Sequence, residues 1–140
     1  MPSGLVVTDE LVRLAESDRE ILSVLAHEVG YVEGRHGLRS VYGSAGVFVL
    51  VSALPGDVVS AGSVAAGLPS VLLESGYSRR FEREADALAA RYAVKRGWGT
   101  EPLARILTRL GDEEVSVPTF LSTHPATAER LERLRALGDR

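Results

Sequence analysis

The sequence has no cysteine, a single tryptophan and few aromatic residues of any kind. Without cysteine the chain forms no disulfide, offers no thiolate to a metal and has no thiol nucleophile, although this does not identify the compartment. Excess positive charge is also missing, since the formal net charge is -3. A chain that binds nucleic acid along its surface carries a basic patch, so we expect no nucleic-acid partner.

The N-terminus lacks a basic segment followed by an apolar core, so it is not a signal peptide. The length of 140 residues suits one domain over 1–140, large enough to bury a core without covalent cross-links. A Met directly before Pro-Ser-Gly and the apolar triplet Leu5 to Val7 is typical of a domain taken from a longer chain. We therefore expect the sequence to be a fragment.

Local signals predict an α+β fold that is mainly helical, with a small N-terminal sheet. Leu5 to Val7 suit a short strand, and Thr8 suits the N-cap of a first helix. Further helices are predicted to begin at capping residues or prolines, near Asp18, Ser78, Thr100 and Pro125. The last helix is predicted to bury its leucines and to expose its Glu and Arg residues.

The helix predicted from Asp18 carries an apolar stripe at helical spacing. The stripe consists of Ile21, Leu25, Val29, Val32 and His36. We expect it to face the core, and Gly37 is the predicted end of the helix. His27 and Tyr31 lie to the side of this stripe, where they would border a cleft.

The segment 40–73 contains one charged residue, Asp57, and is rich in Gly, Ala, Ser and Val. Pro55-Gly56-Asp57 divides it into two arms, and neither arm is an unbroken apolar run of the roughly 20 residues that cross a bilayer. We interpret the segment as a helical hairpin whose small residues allow close packing. It is either buried in the core or faces a membrane.

The stretch VLAHEVGYVEGRH, Val24 to His36, holds a His-Glu pair in an apolar helical run. In zinc peptidases, two histidines one turn apart bind the metal, and a glutamate beside the first activates water. His27 and Glu28 supply two of these groups, but Tyr31 stands where the second histidine belongs. His36 is nine residues from His27, about half a turn around a helix, so we interpret it as a structural histidine.

A third ligand is predicted in SRRFEREAD, where Glu82 and Asp86 lie one helical turn apart and face the same way. Glu82 suits a metal ligand, and Asp86 suits a partner for the other nitrogen of a ligating imidazole. The same carboxylates also suit a surface helix in which Arg79 and Arg83 pair with them. From these residues alone, both interpretations stay open.

Several blocks together resemble one family. HEVGYVEGRH, the hairpin SALPGDVVSAGSVAAGLPSVLLESGYSR, YSRRFEREAD and LSTHPATAERLERL have the order and spacing found in the HtpX-like gluzincin peptidases. That group includes the Oma-type and prenyl-protein-processing proteases. LVVTDELV is similar to the strand and helix ahead of their active-site helix, so the resemblance covers nearly the whole chain.

The resemblance implies a zincin-like metallopeptidase domain that binds one zinc ion and hydrolyses peptide or protein substrates. It makes His27 the first ligand, Glu28 the general base and Glu82 the third ligand, with Asp86 as its companion. His124 matches a family histidine near the metal that stabilises the oxyanion or occupies the open position. The resemblance also implies a parent protein associated with a membrane, and we expect the present fragment to be soluble.

The second histidine ligand does not carry over, because Tyr31 is there. A phenol binds zinc well only when ionised, and its oxygen lies further from the backbone than an imidazole nitrogen. Three explanations are open: Tyr31 is a weak ligand of a working enzyme, it marks a pseudo-enzyme that binds peptides, or it is a substitution introduced into this chain. We expect a zinc-dependent metalloendopeptidase with impaired activity. The alternative is a non-catalytic, membrane-proximal interaction domain that uses the 40–73 hairpin.

Overall fold

The computed structural model describes residues 5–52, 78–112, 124 and 126–138. These residues form six helices, numbered in chain order: α1 (Asp9–Leu14), α2 (Asp18–Glu33), α3 (His36–Ser52), α4 (Ser78–Lys95), α5 (Glu101–Asp112) and α6 (Ala128–Gly138). The prediction of a mainly helical chain is confirmed. Within the described ranges, no helix is both long and apolar enough to span a bilayer.

The predicted N-terminal sheet is not seen. Residues 5–8 belong to neither a helix nor a strand, and the described part of the chain contains no strand with which they pair. A segment without a partner strand forms no ladder of backbone hydrogen bonds, and Val6 is accordingly 88% exposed. The predicted cap does form, because the Thr8 hydroxyl accepts a hydrogen bond from the backbone of Leu11 at 3.3 Å.

Helix α2 begins at Asp18 as predicted. Ser17 and Glu20 have the spacing of a capping box, in which each side chain bonds to the backbone of the other residue, but this pair of bonds does not form. Ser17 is the N-cap and makes no side-chain capping bond. The Glu20 carboxylate is buried instead, where it accepts a hydrogen bond from the Glu16 backbone and pairs with Arg109 on α5. Glu20 therefore joins α2 to α5 instead of closing the first turn of its own helix.

Helix α2 ends at Glu33, four residues before the predicted end at Gly37. Arg35 adopts a left-handed conformation with a φ of 50°, which breaks the helical path. The His36 ring lies where a side chain on Gly34 would stand, so this turn requires glycine at position 34. His36 consequently opens α3 and does not continue the stripe of α2.

The face of α2 that packs against α4 is not the predicted apolar stripe. Val29 and Val32 are 37% and 48% exposed, whereas His27 is fully buried. A methyl group on Gly30 would lie 2.8 Å from the Cα atom of Ala85, so α2 and α4 approach each other closely along this line. The absence of a side chain at Gly30 thus allows the close contact between α2 and α4, and His27 lies in that interface.

The core lies where α5 and α6 meet α2 and α4. The apolar face of α5 is buried, together with one leucine of α6: Leu103, Ile106, Leu107, Leu110 and Leu134. Helix α6 begins at Ala128, after a cap formed by the Thr127 hydroxyl, which accepts a hydrogen bond from the Arg130 backbone at 3.2 Å. Pro125, the predicted start, lies outside the described residues.

The predicted 40–73 hairpin is described only over its first arm. Helix α3 contains that arm up to Ser52, and three of its apolar side chains, Val41, Tyr42 and Val49, are more than 60% exposed. The Pro55-Gly56-Asp57 turn and the second arm lie outside the described residues.

Candidate metal centre

The candidate centre lies between α2 and α4. His27 and Tyr31 are one turn apart on α2, and Glu82 and Asp86 are one turn apart on α4. The close approach at Gly30 brings these two pairs face to face. The interpretation of Glu82 and Asp86 as surface partners of Arg79 and Arg83 is therefore wrong, because both carboxylates are at least 95% buried.

His27 is held by a carboxylate on one side and faces the cluster on the other. Its Nδ1 atom lies 2.9 Å from Oδ1 of Asp86. Its Nε2 atom lies 3.4 Å from Oε2 of Glu82 and 3.3 Å from Nδ1 of His124. A proton on Nδ1 that bonds to Asp86 leaves the Nε2 lone pair directed toward Glu82 and His124.

His124 completes a set of three side chains of the types that bind metal ions. Its Nδ1 atom lies 2.7 Å from Oε1 of Glu82, and ligand atoms of His27, Glu82 and His124 all lie within 4.8 Å of one another. Two ligands of one tetrahedral zinc ion, each about 2.0–2.1 Å from it, are roughly 3.3 Å apart. The two distances from His27 match this spacing, and two imidazoles with one carboxylate form a usual zinc donor set.

Two buried carboxylate oxygens in the cluster lack a donor. Among the described residues, neither Oε2 of Glu82 nor Oε1 of Glu28 has a hydrogen-bond partner. Arg130 approaches Oε2 of Glu82 to 2.7 Å as an ion pair, but without hydrogen-bond geometry. A buried acceptor without a donor is costly, so both atoms suit contact with a cation or with water. The residues present therefore fit a zinc ion.

Tyr31 reaches past the predicted ligand position and donates its hydroxyl hydrogen bond to Oε1 of Glu82. Its ring contacts the edge of the His124 ring, with centroids 4.5 Å apart. Burial, reinforced by the Glu82 carboxylate, raises the pKa of the phenol above its ordinary value of 10.0. The phenol therefore stays protonated at neutral pH, which suits a hydrogen-bond donor better than a zinc ligand.

The carboxylates of the cluster remain ionised although they are buried. Burial alone would raise the pKa of Glu82, but the hydrogen bond from His124 and the charge of Arg130 hold that pKa below its ordinary value. Burial likewise opposes ionisation of Asp86, yet hydrogen bonds from His27 and Arg130 lower its pKa. Negative charge is thus available at the centre at neutral pH.

Arg130 is the residue of this cluster that the sequence interpretation missed. It was expected to be exposed, but it is 2% exposed and pairs with both Glu82 and Asp86. A signal was present, because Arg130 lies one turn before Leu134, which was predicted to face inward. Buried carboxylates also require a cation nearby, and this α6 position is the one that supplies it.

His36 lies beside the cluster but points away from it. Its Nε2 atom contacts Oε2 of Glu84 at 3.0 Å, and its ring stacks on Phe81 with centroids 4.5 Å apart. Arg39 and Arg80 pair with the same glutamate, and Arg39 in particular lowers the pKa of Glu84 to about 2. His36 is thus buried against Phe81 and Glu84, and only its ring contact with Tyr31, with centroids 4.6 Å apart, joins it to the cluster.

The sequence profile of peptidase family M48 matches residues 1–138. The chain belongs to this family. The resemblance to HtpX-like and Oma-type metallopeptidases is therefore confirmed, and zinc is the metal typical of M48 peptidases.

Relatives of this M48 chain are named as proteases or metalloendopeptidases. The putative beta-barrel assembly-enhancing protease of Vibrio cholerae is 30% identical over 132 residues, which is 84% of this chain and 27% of the relative. The beta-barrel assembly-enhancing protease of Yersinia pestis is 26% identical, covering 94% of this chain and 30% of the relative. The mitochondrial metalloendopeptidase OMA1 of Arabidopsis thaliana is 26% identical, covering 96% and 28%.

The M48 chain thus spans less than a third of the length of these relatives. No solved structure matches it.

Proposed function

We propose that this M48 chain is a zinc-dependent endopeptidase domain. The observation that carries the proposal is the convergence of His27, Glu82 and His124 beside the Glu28 carboxylate, whose Oε1 atom has no hydrogen-bond donor among the described residues. A plain helical core would not gather three buried ligand groups at one point, because buried polar groups are costly.

His27, Glu82 and His124 would hold the zinc ion, with His124 in place of a second histidine on α2. Bound zinc polarises a peptide carbonyl and makes water a better nucleophile at neutral pH. Tyr31 stays outside the ligand set and directs its hydroxyl to Glu82. Asp86 holds His27 through Nδ1, which fixes the ring with Nε2 toward the ligands.

Glu28 is the proposed general base. It follows His27 on α2, and its Oε1 atom lies 3.5 Å from Nε2 of His124, at the edge of the ligand cluster. In amide hydrolysis the water oxygen bonds to the carbonyl carbon and the carbon–nitrogen bond breaks. Glu28 takes a proton from the attacking water and passes it to the leaving amine.

Activity is proposed to be lower than that of a site with two histidines on α2. If the His124 ring binds the metal, it no longer serves as a separate group that stabilises the oxyanion. Removing one such oxyanion-stabilising group typically lowers the rate by about 100-fold or more. The substrate is a peptide or protein. One relative is named for beta-barrel assembly and another as mitochondrial. We propose, as the family resemblance implies, that the present protein acts close to a membrane.

The test is the zinc content of the purified chain after zinc reconstitution and desalting. The Tyr31→Phe, Tyr31→His and His124→Ala variants are measured beside it, together with hydrolysis of an unfolded protein. We expect about one zinc ion per chain in the native and Tyr31→Phe proteins, with loss in His124→Ala.

Two other results would contradict the proposal in different ways. Zinc only in Tyr31→His would mean that Tyr31 disables the site and that His124 does not replace the missing ligand. Zinc in none of the proteins would remove the peptidase proposal. The non-catalytic interaction domain would then be the better function, and binding of the chain to phospholipid vesicles would test its membrane-proximal form.

A further inference from the structure

Arg130 extends from α6 into the interface of α2 and α4. Its guanidinium contacts four residues of the cluster, and Arg130 is 2% exposed. It pairs with Glu82 and Asp86, donates to the backbone carbonyl of His124 at 3.4 Å, and places Nη2 3.3 Å and 3.4 Å from the two ring nitrogens of His27. One side chain thus contacts all three proposed ligand residues and Asp86.

The contact with Asp86 is the most specific of these. The Nε atom of Arg130 bonds to Oδ2 of Asp86 at 2.8 Å, and Nη2 bonds to Oδ1 at 2.8 Å. These two parallel bonds fix the plane of the carboxylate, because guanidinium is itself planar and rigid. The same Oδ1 atom lies 2.9 Å from Nδ1 of His27. The orientation of the carboxylate therefore determines where the His27 ring is held.

We propose that Arg130 is a positioning residue of the metal centre. It fixes the Asp86 carboxylate, and Asp86 in turn fixes the His27 ring in the tautomer that leaves Nε2 free to face Glu82 and His124. The effect on zinc rests on the proposed function, whereas the effect on the His27 tautomer does not. The guanidinium thus acts on the His27 ring through the Asp86 carboxylate, beside its direct ion pair with Glu82.

A simpler role for Arg130 is to neutralise two buried carboxylates. Lysine supplies the same charge, but its ammonium group is a point donor that cannot form two parallel bonds to one carboxylate. Arg130→Lys therefore separates the two roles. If the charge alone matters, the Arg130→Lys variant keeps the native zinc affinity. If Asp86 must be oriented, lysine fails.

The first experiment measures zinc affinity by competition with a chromophoric chelator. The proteins are the native chain, Arg130→Lys, Asp86→Asn and the double variant, with circular dichroism to verify the helical content of each. Arg133→Lys is the matched control, since Arg133 lies on the same helix and pairs with the exposed Glu129. We expect Arg130→Lys and Asp86→Asn each to lose about 10–100-fold in affinity and the control to lose none.

The double variant tests whether Arg130 acts through Asp86. If it does, the double variant loses no more than the worse of the two single variants, because both substitutions break the same chain of contacts. Native affinity in Arg130→Lys, or losses that multiply in the double variant, would overturn the proposal.

The second experiment needs no metal. Histidine-selective ¹⁵N labelling of the zinc-free native chain reports which ring nitrogen of His27 carries the proton. We expect the proton on Nδ1 in the native chain and a mixture of tautomers in Arg130→Lys. A proton on Nε2 in the native chain, or an unchanged tautomer in the variant, would refute the positioning role.

The two experiments distinguish failure of the proposed function from failure of the positioning role. If the native chain binds no zinc while His27 keeps its predicted tautomer, the proposed function fails and the positioning role stands. If zinc binds and Arg130→Lys behaves as the native chain does, the positioning role fails alone.

Discussion

The Tyr31 side chain stands at the α2 position where the zinc-peptidase motif has its second histidine. Its phenol is longer than an imidazole, so its oxygen extends to the Glu82 carboxylate and does not stop at the ligand position. The His124 ring lies against it and brings Nδ1 within 3.3 Å of Nε2 of His27. At the residue scale, one substitution in the motif is thus accompanied by a nitrogen donor from a distant part of the chain.

Glu28→Gln is expected to abolish hydrolysis without removing zinc. Glutamine keeps the shape of the side chain but cannot take a proton from water, so we expect the rate of protein hydrolysis to fall by about 100-fold or more. Zinc content should stay at the native level, because Glu28 is not one of the three proposed ligands.

The matched control for this prediction is Glu33→Gln, since Glu33 is an exposed residue of the same helix. Both variants are assayed in the native and Tyr31→His backgrounds, with the second providing a more active reference. Hydrolysis that survives in Glu28→Gln in both backgrounds would show that another group is the base.

The residues that meet at the centre were largely predictable, because motif spacing and helical periodicity are local properties. His27, Glu28 and Tyr31 follow from such spacing. Spacing left Glu82 and Asp86 open between a metal site and a surface helix, and the family resemblance assigned them together with His124. Arg130 was not predicted at the centre, since its burial depends on the carboxylates of another helix. The family resemblance predicts His124 near the metal, but it does not predict the close approach of His124 to His27, because that approach depends on tertiary packing.

At the scale of elements, the crossing of α2 and α4 sets the geometry of the centre. The starts of α1 and α5 could be predicted because capping depends on neighbouring residues. The buried face of α2 could not, because the helix has an apolar stripe and also a face with Gly30 and His27. Partners on α4 decide between them: Ala85 admits a close approach at Gly30, and Asp86 bonds to His27.

Gly30→Ala is expected to destabilise the chain and weaken zinc binding together. The added methyl group would lie 2.8 Å from the Cα atom of Ala85, so α2 and α4 must move apart. Overpacking of this kind costs about 1–3 kcal/mol, and the same movement separates His27 from Glu82. Urea unfolding and zinc competition measure the two effects.

Gly46→Ala is the control for the crossing. Gly46 lies within α3, and a methyl group there would meet no atom within 4 Å. Alanine favours a helix over glycine by about 1 kcal/mol, so this variant should be slightly more stable than the native chain. If Gly30→Ala were also stabilised and kept its zinc affinity, the close approach would not matter for the centre.

At the scale of the whole molecule, ion pairs made by buried carboxylates join helices that are distant in sequence. Arg130 on α6 pairs with Glu82 and Asp86 on α4, and Arg109 on α5 pairs with Glu20 on α2. Removing one partner of a buried pair leaves an uncompensated charge, which typically costs about 3–5 kcal/mol. Site and fold therefore depend on the same carboxylates, so conditions that protonate them should affect both.

The zinc-free chain is accordingly expected to lose stability in acid. Folding lowers the pKa values of Glu82 and Asp86 below their ordinary values of 4.5 and 3.8. A carboxylate with a lowered pKa contributes its full stability above the ordinary value and loses it as the pH falls through the folded value. The free energy of unfolding should therefore fall as the pH drops below about 4.5, and urea titrations at a series of pH values measure this.

Asp86→Asn provides the comparison, because asparagine cannot titrate. This variant should be less stable than the native chain at neutral pH, and its stability should fall less steeply in acid, since one of the two shifted carboxylates is gone. An equal slope in both proteins would mean that Asp86 does not contribute through its charge. The acid sensitivity would then arise from exposed carboxylates such as Glu84, whose pKa is lowered to about 2 chiefly by Arg39.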